Sequence, residues 1–208
     1  FDEIGLTAWS SCHRGKDTVD GFVNFGDLGQ SKELGNHGLV FMASGLLSHW
    51  MQPLGYFISR NSTPAAVLKD LLSQCLSKMR SAGFIVKGVM CDMGAANQKL
   101  RKDLGVTPDH PYIECSGEKV FVFFYPPHLL KCIRNNLHAH DFDVGGEQVS
   151  WRYIKEVFKL DSDIRCVSLR SAPKLTAVHD NLGALKKMKV KTSAQVMSQS
   201  LSAAIMTY

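Results

Sequence analysis

The 208-residue chain has no apolar run long enough to cross a bilayer. Its longest, residues 120–125, falls far short of the roughly 20 residues that a spanning helix needs. No membrane partner is expected. The opening Phe1-Asp2-Glu3 has neither the basic start nor the apolar stretch of a secretory signal, and there is no initiator Met. It reads as a strand cut mid-way, so the sequence is taken as a piece of a longer protein. The six cysteines include no Cys-x-x-Cys pair, which speaks against a zinc site or a disulfide framework and for reduced, mostly buried thiols. There is no internal repeat, no low-complexity tract and no Gly-x-x-x-x-Gly-Lys-Ser/Thr phosphate loop. Strong charge of one sign is also absent: the formal net charge is +5, which permits a nucleic-acid partner without requiring one.

What the chain does have is 45% hydrophobic residues, enough for one large domain or one domain and part of another. Residues 20–25, 38–47 and 52–59 read as strands joined by short Gly- and Pro-containing links, and an antiparallel meander is the simplest arrangement. The low charge of 38–47 suggests burial on both faces. Then the period changes. Thr63 is expected to cap a helix with Pro64 in its first turn. Leu68, Leu71, Leu72, Cys75, Leu76 and Met79 form its apolar face, and Gly83 ends it in the left-handed conformation. A strand at 84–91 leads to Asp92, a helix at 95–104 stops at Gly105, and a strand at 119–125 is closed by Pro126-Pro127. After that, strand signals fade. Helices are expected at 128–138, 151–160 and 189–205, the last with Val190, Ala194, Val196 or Met197, and Leu201 inward. The fold class is therefore α/β: an RNase H-like mixed sheet, an antiparallel meander followed by β-α-β units, with a mostly α-helical tail that looks like a separate module. The boundaries expected are 1–127 for the first domain and 128–208 for the start of the second.

Two acids stand out. Asp2 lies on the first strand and Asp92 at the carboxyl end of a later one, where ligand sites of α/β sheets gather. If those strands are neighbours, the carboxylates converge and suit a divalent ion, Mg2+ or Mn2+, of the kind that drives two-metal phosphoryl transfer. An Asp after a strand also serves as a turn or helix-cap residue, and that reading stays open. Glu3 would point to the opposite face from Asp2.

Several segments together resemble the P-element-like transposase family, including its THAP-domain relatives. They are Phe1-Asp2-Glu3-Ile4, Val19-Asp20-Gly21-Phe22, His37-Gly38-Leu39-Val40-Phe41-Met42, Trp50-Met51-Gln52-Pro53-Leu54-Gly55-Tyr56-Phe57 and Cys91-Asp92-Met93-Gly94-Ala95-Ala96-Asn97. Further on come Pro126-Pro127-His128-Leu129-Leu130-Lys131 with Arg134-Asn135-Asn136, Ala172-Pro173-Lys174-Leu175-Thr176 with His179, and Lys187-Met188-Lys189-Val190-Lys191. The ordered set is specific where each run alone is weak. The resemblance implies a nuclear enzyme that cuts and joins transposon-end DNA using metal ions, acting as a homo-oligomer. Asp2 and Asp92 match its first two catalytic acids, and a third, Glu, would come after Tyr208. It implies a GTP-binding insertion starting near His128, with Lys174, Lys189 and Val190 as nucleotide contacts. Lysines give point charge to phosphates, while backbone groups read base or ribose. One departure is visible: family members often have Asp where this chain has Tyr125, which favours a domesticated or decayed copy.

Three further readings come from spacing alone. Lys131 and Arg134 share a helix face and could meet DNA phosphates or pair with surface acids such as Asp141. His128 orders a turn or ligates a metal. Trp50 and Trp151 belong to the core.

Overall fold

The computed structural model of the chain describes residues 1–13, 18–164, 166–180 and 183–208. They fall into two compact units, Phe1–Tyr125 and Pro126–Tyr208.

The first unit carries β1 (Asp2–Gly5), β2 (Ser11–His13), β3 (Thr18–Asp20), β4 (Phe22–Asn24), β5 (Gln30–Leu34), β6 (His37–Ser44) and β7 (Met51–Ser59). After them come α1 (Ala65–Ser81), β8 (Gly88–Cys91), α2 (Ala95–Asp103), β9 (Tyr112–Cys115) and β10 (Glu118–Phe124). Five strands form an antiparallel sheet in the order β1-β6-β7-β4-β5, and β2 and β3 pair in a separate hairpin. The meander is thus β1-β6-β7, with the β4–β5 hairpin inserted in sequence and paired on its outer edge. A second sheet runs β8-β10-β9, parallel between β8 and β10 and antiparallel between β10 and β9. This is the mixed α/β arrangement expected from the sequence.

Helix α1 covers the inner face. Leu68, Leu71, Leu72 and Leu76 are buried against Leu39 and Phe41 of β6, Val89 of β8, Val120 of β10 and Leu100 of α2. Each such leucine contributes about 1.5–3 kcal/mol on leaving water. The helix ends as its sequence requires. Gly83 has φ +87°, its N–H donates to Arg80 O at 2.8 Å, and Phe84 N–H reaches Met79 O at 3.0 Å. Gly105, with φ +70°, ends α2 by the same pair of bonds, to Lys102 O and Arg101 O.

Three expectations for this unit need correction. β6 is fully covered on one face, where Leu39 and Phe41 are buried; on the other, Gly38 is buried and Val40 half-buried but Met42 is 49% exposed, and Leu46 and Leu47 stand in solvent beyond the strand. Thr63 does not cap α1. Its side chain is fully buried with an unpartnered hydroxyl, Pro64 occupies the cap position, and Thr63 N–H instead donates to Glu3 Oε1 at 2.7 Å. Trp50 is partly exposed and leans on Phe84, with ring centroids 5.7 Å apart.

The second unit carries α3 (Pro126–Ala139), a hairpin of β11 (Phe142–Val144) and β12 (Glu147–Val149), then α4 (Trp151–Ser162), α5 (Ala177–Asp180), α6 (Ala184–Lys187), α7 (Val190–Val196) and α8 (Gln199–Thr207). Pro126 and Pro127 open α3 rather than close the preceding strand. This is tolerated because first-turn amides have no intrahelical acceptor. The helix expected at 189–205 is two. Ser198 caps α8, accepting from Leu201 N–H, and the break resets the helical phase. Thr192 and Ser193 are therefore buried and Ala194 is exposed, while Val196 and Leu201 point inward as expected. The core gathers Leu137, Trp151, Ile154, Val157, Ala172, Leu175, Val196, Leu201 and Ala204.

Candidate functional site

Asp2 and Asp92 sit where the two sheets of the first unit meet. The Phe1 nitrogen donates to Met90 O at 2.8 Å, joining the start of β1 to the end of β8. Asp2 follows Phe1 and Asp92 follows Cys91 in sequence, so this bond brings both acids to one junction. Their fields overlap at this end: both carboxylates act on the Phe1 nitrogen and on the Cys91 thiol. Burial is the main influence on that thiol and pushes its pKa up to about 11.

The two acids differ in what else they do. Asp2 is exposed, and its Oδ1 accepts the adjacent Glu3 N–H at 2.9 Å. Glu3 points to the other side and holds Thr63 N–H at the entry to α1. Asp92 is half-buried and orders the turn into α2. Its Oδ1 accepts from Gly94 N–H at 2.8 Å and from Asn97 Nδ2 at 2.7 Å. The turn reading therefore holds for one oxygen, and among the described residues no hydrogen bond engages Oδ2. A Cβ at position 94 would approach Asp92 Oδ1 to 3.0 Å, so glycine keeps the turn close to the carboxylate. Two carboxylates of this kind are hard oxygen donors suited to Mg2+ or Mn2+. Among the described residues no group of three His, Cys, Asp or Glu side chains forms a complete metal cluster.

Tyr125 lies beside this pair. β10 and β8 run in register with Phe124 opposite Cys91, and Tyr125 N–H donates to Cys91 O at 2.8 Å. The next pair in that ladder is Tyr125 and Asp92.

In the second unit Lys174 and Lys189 are exposed and Val190 is half-buried. Lys174 stands in a tight turn between buried Ala172 and Leu175, closed by Leu175 N–H to Ala172 O at 2.9 Å. The turn is anchored by Asp161, 3% exposed, whose carboxylate accepts Ser171 N–H at 2.7 Å, Ala172 N–H at 3.2 Å and the Tyr208 hydroxyl at 3.0 Å. Buried His179 then links the turn to α7. Its Nδ1 accepts Thr176 N–H at 3.1 Å, which leaves Nε2 to donate to Gln195 Oε1 at 3.1 Å. The segments bearing Lys174 and Lys189–Val190 thus belong to one framework.

Sequence reasoning missed Asp161, although the signal was there. It continues the apolar series Trp151, Ile154, Val157 of α4, where an acid has no place unless it is bonded. Arg134 needs correction in the same way. It is fully buried between Leu130 and Leu137 on α3, so it neither meets DNA phosphates nor forms a surface ion pair. His128 is half-buried and Trp151 is buried, the latter stacked edge-on by His138 at 5.0 Å.

An antiparallel meander followed by a β-α-β sheet, then a helical unit, is the mixed α/β arrangement of an RNase H-like domain with an insertion. Residues 1–105 match the family described as TNP-like, RNase H N-terminal domain, and residues 127–208 match TNP-like, GTP-binding insertion domain. The chain belongs to this TNP-like transposase family. It is 28% identical over 166 residues to the Transposable element P transposase of Drosophila melanogaster, covering 77% of this chain and 21% of that protein. It is 27% identical over 204 residues to the DNA transposase THAP9 of Homo sapiens, covering 90% of this chain and 21% of that protein. The chain thus spans about a fifth of the length of these curated relatives. Its fold matches the Drosophila P element transposase strand transfer complex with a TM-score of 0.82 and 25% identity, over 99% of this chain and 43% of that one.

Proposed function

We propose that the chain is the acid-bearing and nucleotide-binding part of a transposase that cleaves transposon-end DNA and joins it to a target, in the nucleus and as a homo-oligomer. The observation that carries this is the Phe1–Met90 bond, which brings β1 and β8 together at the ends bearing Asp2 and Asp92. Asp2 and Asp92 would hold Mg2+ or Mn2+, which supplies Lewis acidity at the scissile phosphate when bound. Asp92 offers Oδ2 while its Oδ1, fixed by Gly94 and Asn97, keeps the carboxylate from rotating away. Asp2, being exposed, leaves room for a phosphodiester to approach. A third acid is expected from elsewhere in the full-length protein. In the second unit, Lys174, Lys189 and Val190 would contact GTP.

Tyr125 favours a second reading. It stands next to Asp92 in the ladder, at a position where an acid would add a ligand and a phenol does not. On that reading the protein is a domesticated relative that binds DNA or nucleotide without cutting.

The test is Mg2+- or Mn2+-dependent cleavage of transposon-end DNA by the full-length protein, with Asp2→Asn and Asp92→Asn as controls. The first reading expects cleavage that each substitution lowers by at least about a thousandfold, the scale of transition-state terms worth about 4 kcal/mol. Cleavage that survives both changes removes the metal assignment. A full-length protein that binds these DNA ends without cutting them supports the second reading.

A further inference from the structure

The buried guanidinium of Arg134 is the least conventional group in the second unit. Arginine is almost never fully buried without a carboxylate, yet among the described residues its hydrogen-bond partners are all neutral. Nε donates to Asn135 Oδ1 at 2.8 Å and Nη1 to Thr192 Oγ1 at 2.9 Å. Nη2 donates to Lys187 O at 2.9 Å and Lys186 O at 3.4 Å. Thr192 passes the link on, donating from its hydroxyl to Lys189 O at 2.9 Å. Burial lowers the Arg134 pKa, and among the described residues no acid is named as acting on it. The segment that the guanidinium holds carries Lys186, Lys187, Lys189 and Lys191, and the acid that precedes them in the sequence is Asp180.

A buried cation beneath an unbalanced group of lysines needs an anion supplied from outside. The anchoring geometry says where. The fork draws the carbonyls of Lys186 and Lys187 inward, and through Thr192 that of Lys189, so these lysine stems start from fixed backbone points. The side chains of Lys187 and Lys189 remain in solvent.

Resting on the GTP reading above, we infer that Arg134 is a positioning residue of the nucleotide site. Its fork sets the backbone of residues 186–192, and its uncompensated charge makes the segment favour the longer phosphate chain. Arg134 itself stays out of contact with the ligand. It acts through the segment it holds and through its field, which the protein interior screens weakly.

The experiment measures the affinity of the full-length protein for GTP, GDP and guanosine by calorimetry, with thermal melting as the folding control. A unit charge acting over roughly 10 Å at an effective dielectric constant of about 20 is worth about tenfold or more in affinity per ligand charge. Arg134→Gln keeps an amide donor and loses the charge, so GTP affinity is expected to fall at least about tenfold further than guanosine affinity. Arg134→Lys keeps the charge and loses the fork. It is expected to lower GTP affinity while preserving the GTP-to-guanosine ratio. Thr192→Val is expected to weaken all three ligands alike. An Arg134→Gln chain with an unchanged GTP-to-guanosine ratio, or an Arg134→Lys chain with wild-type GTP affinity, overturns the inference. Should Arg134→Gln fail to fold, Arg134→Lys and Thr192→Val decide it by the same criteria. If the unsubstituted chain binds none of the three, the nucleotide reading itself falls. If it binds them and the variants match it, only the role of Arg134 falls.

Discussion

Asp92 is assigned two jobs, and substitution can separate them. Its Oδ1 accepts two hydrogen bonds that order the turn into α2, and its charge belongs to the metal pair. Hydrogen bonds to a charged group contribute about 1.5–3 kcal/mol each and neutral ones about 0.5–1.5. The side chain is half-buried, so the lower ends of these ranges apply. Asp92→Ala removes both bonds and leaves Gly94 N–H without its acceptor, a loss of about 3 kcal/mol. Asp92→Asn keeps an oxygen where Oδ1 stands and preserves both bonds in neutral form, a loss of about 1–2 kcal/mol. At about 3–4 °C per kcal/mol for a unit of this size, the alanine variant should melt about 10 °C lower and the asparagine variant about 3–7 °C lower. Metal-dependent cleavage by the full-length protein should vanish in both. Thermal melting of the 208-residue chain and cleavage by the full-length protein together make the assay. An asparagine variant as unstable as the alanine one would refute the separation, because the charge would then be what holds the turn. An asparagine variant that still cleaves would refute the metal role while leaving the turn role intact.

Other consequences follow from neighbouring residues. Tyr125→Asp would set a further carboxylate beside Asp92, so the metal-free chain should lose stability at neutral pH through like-charge repulsion. Mn2+ should then restore roughly 1.4 kcal/mol at ten times its Kd, and a melting temperature insensitive to Mn2+ would sink the register argument. The Cys166 thiol, exposed and lowered in pKa by its hydrogen bond with the Ser168 hydroxyl, should be alkylated at pH 8 well before Cys91, whose burial pushes it up to about 11. The stability that Cys91 contributes is complete below its ordinary value of 9.0 and is lost as pH rises from there through about 11, because the unfolded chain releases its proton first. Mass spectrometry after timed alkylation, and melting between pH 8 and 11, check the two halves of that statement.

The fold was legible where one signal acted alone. α1 has an apolar face at helical spacing and a glycine stop, and both appear where periodicity puts them. α2 and β10 follow from the same logic, whereas the strand expected at 84–91 forms only as β8, Gly88–Cys91. The difficulties arose where tertiary bonding overrode a local preference. Thr63 is a favourable cap by type, but the Glu3 carboxylate, sixty residues away in sequence, already holds its N–H. The apolar run at 38–47 resembles a strand buried on both faces, yet cover on its outer face fades from buried Gly38 to exposed Met42. Short strands such as β9 and β5 have no strong alternation and depend on their neighbours for pairing.

The candidate site follows the same rule with a different outcome. Strand period was enough to put Asp2 on β1 and Asp92 just after β8, because a carboxylate at a strand terminus is positioned by backbone geometry that the sequence largely specifies. Arg134 and Asp161 could not be placed that way. Each sits on the apolar stripe of a helix, where periodicity marks a core position and residue type marks the surface. Such a conflict is resolved only by acceptors or donors from distant segments: the Lys186 and Lys187 carbonyls for Arg134, and the Ser171 and Ala172 amides for Asp161. Both residues use that long-range bonding to fix a loop bearing a candidate nucleotide contact, Lys189 in one case and Lys174 in the other. A charged residue on an apolar helical stripe is therefore a sequence signal in its own right. In this chain it marks the two points from which the second unit holds its loops.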